Sequence, residues 1–131
     1  EQARSYGREI GIFTNCYIVC RPTRKEAEEY HDYYALEMAD QGAVDNLIKG
    51  RSARGRFDEL PEEMLRNLKQ RAGGGNGAYP IVGDPDDVAS LLVKLNAAGI
   101  DAFAMGMANY LEHFPFFRDE VLPRLEEAGV R

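Results

Sequence analysis

The stretch "PIVGDPDDVASLLVKLNAAGIDAFAMG", Pro80 to Gly106, holds a strand-like start, a helix start, a helix stop and a second strand, and it limits the fold more than any other segment. Asp84 can accept hydrogen bonds from the free amides of a first helical turn. Pro85 suits the first helical position, where its missing N–H costs nothing, and Asp86 and Asp87 put negative charge at the positive end of the helix dipole. Val88, Leu91, Leu92 and Leu95 recur on one helical face, and Gly99 supplies a left-handed residue for the helix end. This predicts a helix over 84–98. Residues 100–106 then have the length and apolar content of a strand, so a helix returns to a parallel strand, as in half of a βαβ unit.

Upstream, residues 10–20, "IGIFTNCYIVC", are apolar on both alternating faces apart from Thr14 and Asn15, the pattern of a central parallel strand covered on both sides. Thr23 and Glu26 have the spacing of a capping box and open a helix over 23–40, with Ala27, Tyr30, Tyr34 and Met38 as its packing face. Tyr30, Tyr33 and Tyr34 read as core and rim packing, and His31 as a surface residue. At the other end, Asn109 can cap a helix over 109–128 in which Phe114, Phe117, Val121 and Leu125 recur at spacings of three and four. Pro115 and Pro123 predict a bend or two short helices there, with His113 partly packed.

Residues 42–77 break this alternation and read as a mobile insertion: a helical piece at Ala43 to Lys49, the basic run "KGRSARGRF", a second helical piece opened by Pro61, and "GGGNG". The basic run brings Arg51, Arg54 and Arg56 together on a chain of net charge −6. It is either a solvated loop or a site for a phosphate or sulfonate group. "GGGNG" lacks the Gly-Lys-Ser/Thr of a phosphate loop and the spacing of a dinucleotide fingerprint, and reads as a hinge, since glycine tolerates the dihedral changes of a moving lid.

The acidic balance argues against a nucleic-acid partner, which would call for a broad positive surface. No apolar run is long enough to span a membrane and the first residues lack the apolar core of a secretory signal, so a cytoplasmic protein is expected. Cys16 and Cys20 lie four residues apart in a strand, roughly 13 Å at about 3.3 Å per residue, too far for a disulfide. They read as buried and reduced. With only His31 and His113 besides, no set of residues has metal-ligand spacing.

The series "IGIFTNCYIVCRPTRKEAEEY", "RAGGGNGAYPIVGDPDDVASLLVKLNAAGIDAFAMG" and "FRDEVLPRLEEAGVR" resembles the C-terminal part of the bacterial-luciferase-like, flavin-dependent monooxygenases, in the branch with the alkanesulfonate, dimethyl sulfone and pyrimidine monooxygenases. The resemblance covers nearly the whole chain. It implies an α/β fold, the C-terminal fragment of a (β/α)8 TIM barrel: a single partial domain over 1–131 holding the last two βα units, with 42–77 as a helical lid over the flavin. A whole barrel takes about 250 residues. The missing initiator Met and the start close to a buried strand likewise lead us to expect further strands in a longer chain.

The resemblance also implies the chemistry. The parent protein would use reduced FMN, delivered by a separate NAD(P)H-dependent flavin reductase, and O2 to oxygenate a small sulfonate, sulfone or nitrogen heterocycle. It would be a cytoplasmic homo-oligomer. Arg71 is the nearest match to an arginine that precedes the "VGD" turn in the alkanesulfonate enzymes, so Arg51, Arg54, Arg56 and Arg71 are the candidate lid cations. Asn109 and Tyr110 follow the last strand at the face where barrels place their chemistry, and are candidate pocket-rim residues. The catalytic residues would lie on earlier strands, and this piece alone would be inactive. Two alternatives stay open: a deazaflavin-dependent oxidoreductase of the same superfamily, and a non-catalytic interaction module anchored by the aromatic cluster "FPFF".

Overall fold

The computed structural model of the chain describes residues 2–51 and 60–130. A short helix, α1 (Gln2–Ser5), precedes strand β1 (Phe13–Cys20). Helix α2 (Arg24–Asp32) runs into a π turn at Tyr33–Glu37, followed by α3 (Gln41–Arg51) and α4 (Glu62–Gly75). Then come β2 (Tyr79–Gly83), α5 (Pro85–Ala97), β3 (Ala102–Gly106), α6 (Tyr110–Phe116), a second π turn at Phe117–Val121, and α7 (Leu122–Glu127).

The three strands form a parallel sheet in the order β2-β1-β3. β1 is central, as its two apolar faces demand, and Cys16 to Cys20 are all buried. On one face Cys16, Ile18 and Cys20 join Ile81 and pack against Val88 and Leu92 of α5 and against Phe117, Val121 and Leu125. On the other, Tyr17 and Val19 pack with Ala27, Tyr30 and Tyr34 of the α2 layer. Pairing starts at Phe13 rather than Ile10. The residues before it are tied to the chain ahead of β3, where the Ile12 amide donates to Asp101 Oδ2 at 2.7 Å and the Asp101 amide to the Ile12 carbonyl at 2.9 Å.

Both capping signals are used, and Asp87 adds a return bond to the Asp84 amide. Thr23 and Glu26 cap each other's amides at 3.2 and 3.0 Å, and Asp84 with Asp87 does the same for α5. β2 takes the strand-like start at Pro80 and adds a third strand to the two βα units that the element order predicts. It lies on the opposite side of β1 from β3, so the β2-α5-β3 connection passes over β1. Its five residues are too few for a periodic signal, and Pro80 is tolerated because β2 is an edge strand.

The helix expected over 23–40 widens at Tyr33, where the Met38 amide donates to the Tyr33 carbonyl at 2.9 Å, five residues back. A second π turn, closed by Leu122 on Phe117, lets the C-terminal helices continue up to Pro123, which has no amide to give and whose ring an α-helical turn would crowd. Of the "FPFF" aromatics, Phe117 is fully buried and Phe116 packs on the same core, leaving Phe114 partly exposed.

The glycine run is not a linker. Gly73, Gly74 and Gly75 form the last turn of α4, which lies against the π turn and β1. A β-carbon at Gly75 would overlap the Tyr17 ring, and one at Gly73 would overlap the Ala35 carbonyl. Helix α4 then ends on Asn76 and Gly77, both at positive φ, with the Gly77 amide on the Arg71 carbonyl at 2.7 Å. Arg66 and Gln70 fasten α4 to α2 through the two oxygens of Asp32, at 2.8 and 2.6 Å.

Gly75→Ala should therefore destabilise the protein by about 1–3 kcal/mol through overpacking. Gly50→Ala, in α3 with nothing near its β-carbon position, should be neutral or stabilising by up to about 1 kcal/mol. Urea unfolding of the two variants checks this, and a Gly75→Ala protein as stable as the parent would contradict the close approach.

Candidate functional site

An open cleft of about 920 Å³ lies at the sheet face opposite the α5 layer. Its floor is built by Asn15 on β1 and by Ala104 and Gly106 on β3, with Asn15 and Ala104 side by side in the strand register. Alternation along the strands sets these residues opposite Cys16, Phe103 and Met105, whose side chains pack toward α5. Small side chains on β3 keep the floor low. The wall is the C-terminal turn of α4 and the residues after it, Gly75 to Ala78, together with Arg71.

Arg71 is the charged group of this cleft. Its Nε donates to the Ala78 carbonyl at 3.4 Å and Nη2 to the Gly77 carbonyl at 3.3 Å. Both bonds are long, and among the described residues no carboxylate pairs with the guanidinium. A cation held by carbonyls at the rim of an open cleft keeps most of its capacity for a bidentate anion.

Behind the wall lies a buried polar and aromatic cluster. Tyr17 is 2% exposed, and its hydroxyl meets His31 Nε2 at 2.8 Å. The Tyr34 hydroxyl donates to the Gly74 carbonyl at 3.2 Å. Burial pushes the Tyr17 phenol up to about 12, partly offset by the positive charge of Arg71, and it pushes the Tyr34 phenol up as well. A second histidine closes the other end, where Arg21 stacks at 3.9 Å over the Tyr30 ring and its Nη2 donates to His113 Nε2 at 2.9 Å. Arginine only donates, so His113 is neutral with its proton on Nδ1.

Of the expected site residues, Arg71 lines the cleft. Arg51 is the last residue of α3 and its side chain lies outside the described residues, as do Arg54 and Arg56 altogether. Asn109 caps α6 by position, with its Nδ2 donating to Glu112 Oε2 at 3.2 Å rather than its side chain accepting from the first turn. Tyr110 braces the end of β3 by donating its hydroxyl to the Met105 carbonyl. Neither lines the cleft.

Three residues differ from the sequence reading or were absent from it. His31 is buried, not on the surface, because the glycine turn covers it, and His113 has Arg21 as a partner. Tyr17 gave no signal beyond an apolar strand position. The cysteines are buried, and burial pushes Cys16 up to about 11 and Cys20 up to about 12, the latter helped by the charge of Asp84, so neither is a thiolate at neutral pH. Among the described residues no group of side chains could hold a metal ion, and no helix is long and apolar enough to cross a membrane.

No family model matches the chain. Curated proteins do. The sulfoquinovose monooxygenase of Agrobacterium fabrum is 30% identical over 99% of the chain, and that of Novosphingobium aromaticivorans is 30% identical over 98%. The FMNH(2)-dependent dimethylsulfone monooxygenase of Pseudomonas putida is 23% identical over 96%. This chain is a homologue of these monooxygenases. The resemblance to the flavin-dependent monooxygenases read from the sequence therefore holds along almost all of it. The chain spans 37%, 39% and 35% of the length of those three relatives. Among solved structures, DmoA from Hyphomicrobium sulfonivorans superposes over 98% of this chain and 33% of its own, with a TM-score of 0.75 at 21% identity. The riboflavin lyase RcaE, solved with modified FMN and riboflavin, gives 0.66 at 23% identity, over 98% of this chain and 34% of its own. The parallel α/β arrangement is thus the fold of the matching third of those proteins.

Burial is the main cause that lowers both imidazole pKa values below 6.5, with the Arg21 charge adding to the effect at His113 and Asp32 opposing it at His31. As pH falls, the unfolded chain takes up these protons first. The two histidines' contribution is thus complete above about 6.5 and is lost progressively below it. The urea midpoint should fall from about pH 7 to about pH 5.5, and a His31→Gln/His113→Gln double variant should lose most of that slope. An unchanged slope would assign the pH dependence to other groups.

Proposed function

We propose that the chain is the C-terminal part of a (β/α)8-barrel monooxygenase that uses reduced FMN and O2 to oxygenate a small anionic substrate, a sulfonate in the first instance. The observation that carries this is Arg71: an arginine without a carboxylate partner among the described residues, set on the wall of an open cleft in a chain homologous to sulfoquinovose and dimethylsulfone monooxygenases.

A barrel is supported by which edges are free. Among the described residues β3 has no strand on its outer side, and β1 has none beside Phe13 to Asn15 on the side of β2. Ile10, Ile12 and Phe13 are exposed there. Open, apolar, parallel edges call for further strands, whereas β2 presents Pro80 at its edge, a residue that blocks pairing. In this reading β1 and β3 are the last two barrel strands, β2 is an extra strand beside the seventh, and 42–77 is the segment that covers the flavin pocket, with α4 as its fixed wall.

The cleft fits a flavin on the donor set and the room it offers: a low floor at Ala104 and Gly106, an amide side chain at Asn15 and a cation at Arg71. Reduced FMN, when bound, supplies the electrons that activate oxygen. The chain's own residues do the rest on this side of the pocket. Arg71 holds the sulfonate by charge and by its fork of donors, Asn15 offers a neutral hydrogen bond from the floor, and the α4 wall keeps water from one side of the site. A separate NAD(P)H-dependent reductase supplies the reduced flavin in the cytosol, to a homo-oligomeric enzyme. The FMNH(2)-dependent relatives favour FMN over a deazaflavin.

The test is substrate-dependent turnover of the intact protein with a flavin reductase, FMN, NADH and O2. Arg71→Ala should raise the KM for a sulfonate roughly 10- to 100-fold, the loss of a charged hydrogen bond, while leaving turnover of a neutral sulfone within a few fold. Equal effects on both substrates, or none, would remove Arg71 from the site.

A further inference from the structure

We infer that Tyr17 and His31 are positioning residues for Arg71: their buried hydrogen bond is the seat on which the last turn of α4 rests, and it fixes where the guanidinium stands over the cleft. The inference rests on the proposed role of Arg71 as the anion contact and extends it to side chains that do not touch the ligand.

Four observations converge on this seat. Tyr17 rises from the central strand and its ring lies directly beneath Gly75, where a β-carbon would overlap it. A β-carbon at Gly74 would lie 3.0 Å from the Tyr17 hydroxyl and 3.1 Å from His31 Nε2, so the helix backbone rests on the hydrogen bond itself. The Tyr34 hydroxyl holds the same turn from the side through the Gly74 carbonyl. Arg71 lies one helical turn before Gly75, and its guanidinium is bonded to the carbonyls of Gly77 and Ala78, just beyond that turn. Those anchors of Arg71 therefore belong to the segment that Tyr17 and His31 support.

The polarity of the pair matters. With the His31 imidazole neutral and protonated at Nδ1, Nε2 accepts the Tyr17 proton and satisfies the buried phenol, whose ring lies against Gly75. Replacing the acceptor by an apolar side chain would leave a buried phenol unsatisfied. The hydroxyl would then seek the nearest carbonyls, those of the α4 turn, and shift the turn that carries Arg71.

The experiment is a calorimetric titration of the intact protein and each variant with methanesulfonate, with the Arg71 Nε–Hε NMR signal followed in every protein that keeps Arg71 and thermal unfolding of each variant alongside. Tyr17→Phe keeps the ring and removes the hydroxyl, and should weaken methanesulfonate binding about three- to tenfold, the value of one buried hydrogen bond. His31→Leu should do the same, whereas His31→Gln, whose amide oxygen reaches the place of Nε2, should keep affinity within about twofold of the parent. A role in space filling alone predicts the reverse order for the two His31 variants and would overturn the inference. If His31→Leu fails to fold, Tyr17→Phe decides. If Arg71→Ala abolishes binding while Tyr17→Phe and His31→Leu bind like the parent, the positioning role falls and the anion site stands. If Arg71→Ala binds like the parent, or the parent does not bind methanesulfonate, the anion site falls and the positioning role with it.

Discussion

Helix α4 can reach the central strand only because its last turn carries no side chains. Gly73 lies on the Ala35 carbonyl, Gly74 on the Tyr17–His31 hydrogen bond and Gly75 on the Tyr17 ring, and a β-carbon at the first or last of these would overlap its neighbour. The close approach shapes both the interior and the cleft. It buries two polar side chains that must then satisfy each other, it meets the π turn of Tyr33–Glu37 where the α2 layer widens, and it ends the helix beside the free face of β1 and β3. The cleft exists because the helix stops there, at Asn76 and Gly77, instead of running on across the floor.

The sheet imposes the complementary constraint. β1 is buried on both faces along Cys16 to Cys20, but its first residues and the outer edge of β3 face no strand among those described. One chain segment thus combines a finished core, closed by α5 and the C-terminal helices, with an unfinished side. Homologues of which this chain spans 35–39% fit that division, and DmoA superposes over 98% of this chain.

How much of the fold the sequence discloses depends on the range of the interaction. Capping is local, so the Thr23–Glu26 box and the Asp84 cap could be placed from spacing alone, and the helix face of Val88, Leu91, Leu92 and Leu95 follows from period. β2 was less legible because five residues with a proline carry no period. The two π turns depend on a single extra residue per turn, which composition does not mark. "GGGNG" was the most misleading stretch: glycine serves flexibility and close packing equally well, and only the tertiary neighbours, Tyr17 and Ala35, decide between them. His31 obeyed the same logic, since a histidine on a polar-looking helix becomes buried only when a glycine helix is laid over it.

The close approach of Gly75 to the Tyr17 ring makes the α4 turn a fixed wall and not a hinge. Native-state amide exchange of Asn76 and Gly77 in the intact protein tests it most directly, since their amides are bonded to the Ala72 and Arg71 carbonyls at 3.1 and 2.7 Å. A fixed wall predicts protection close to that of the β1 amides of Ile18 and Val19. Exchange of Asn76 and Gly77 at nearly the free-peptide rate, with β1 still protected, would show a turn that opens on its own and would contradict it.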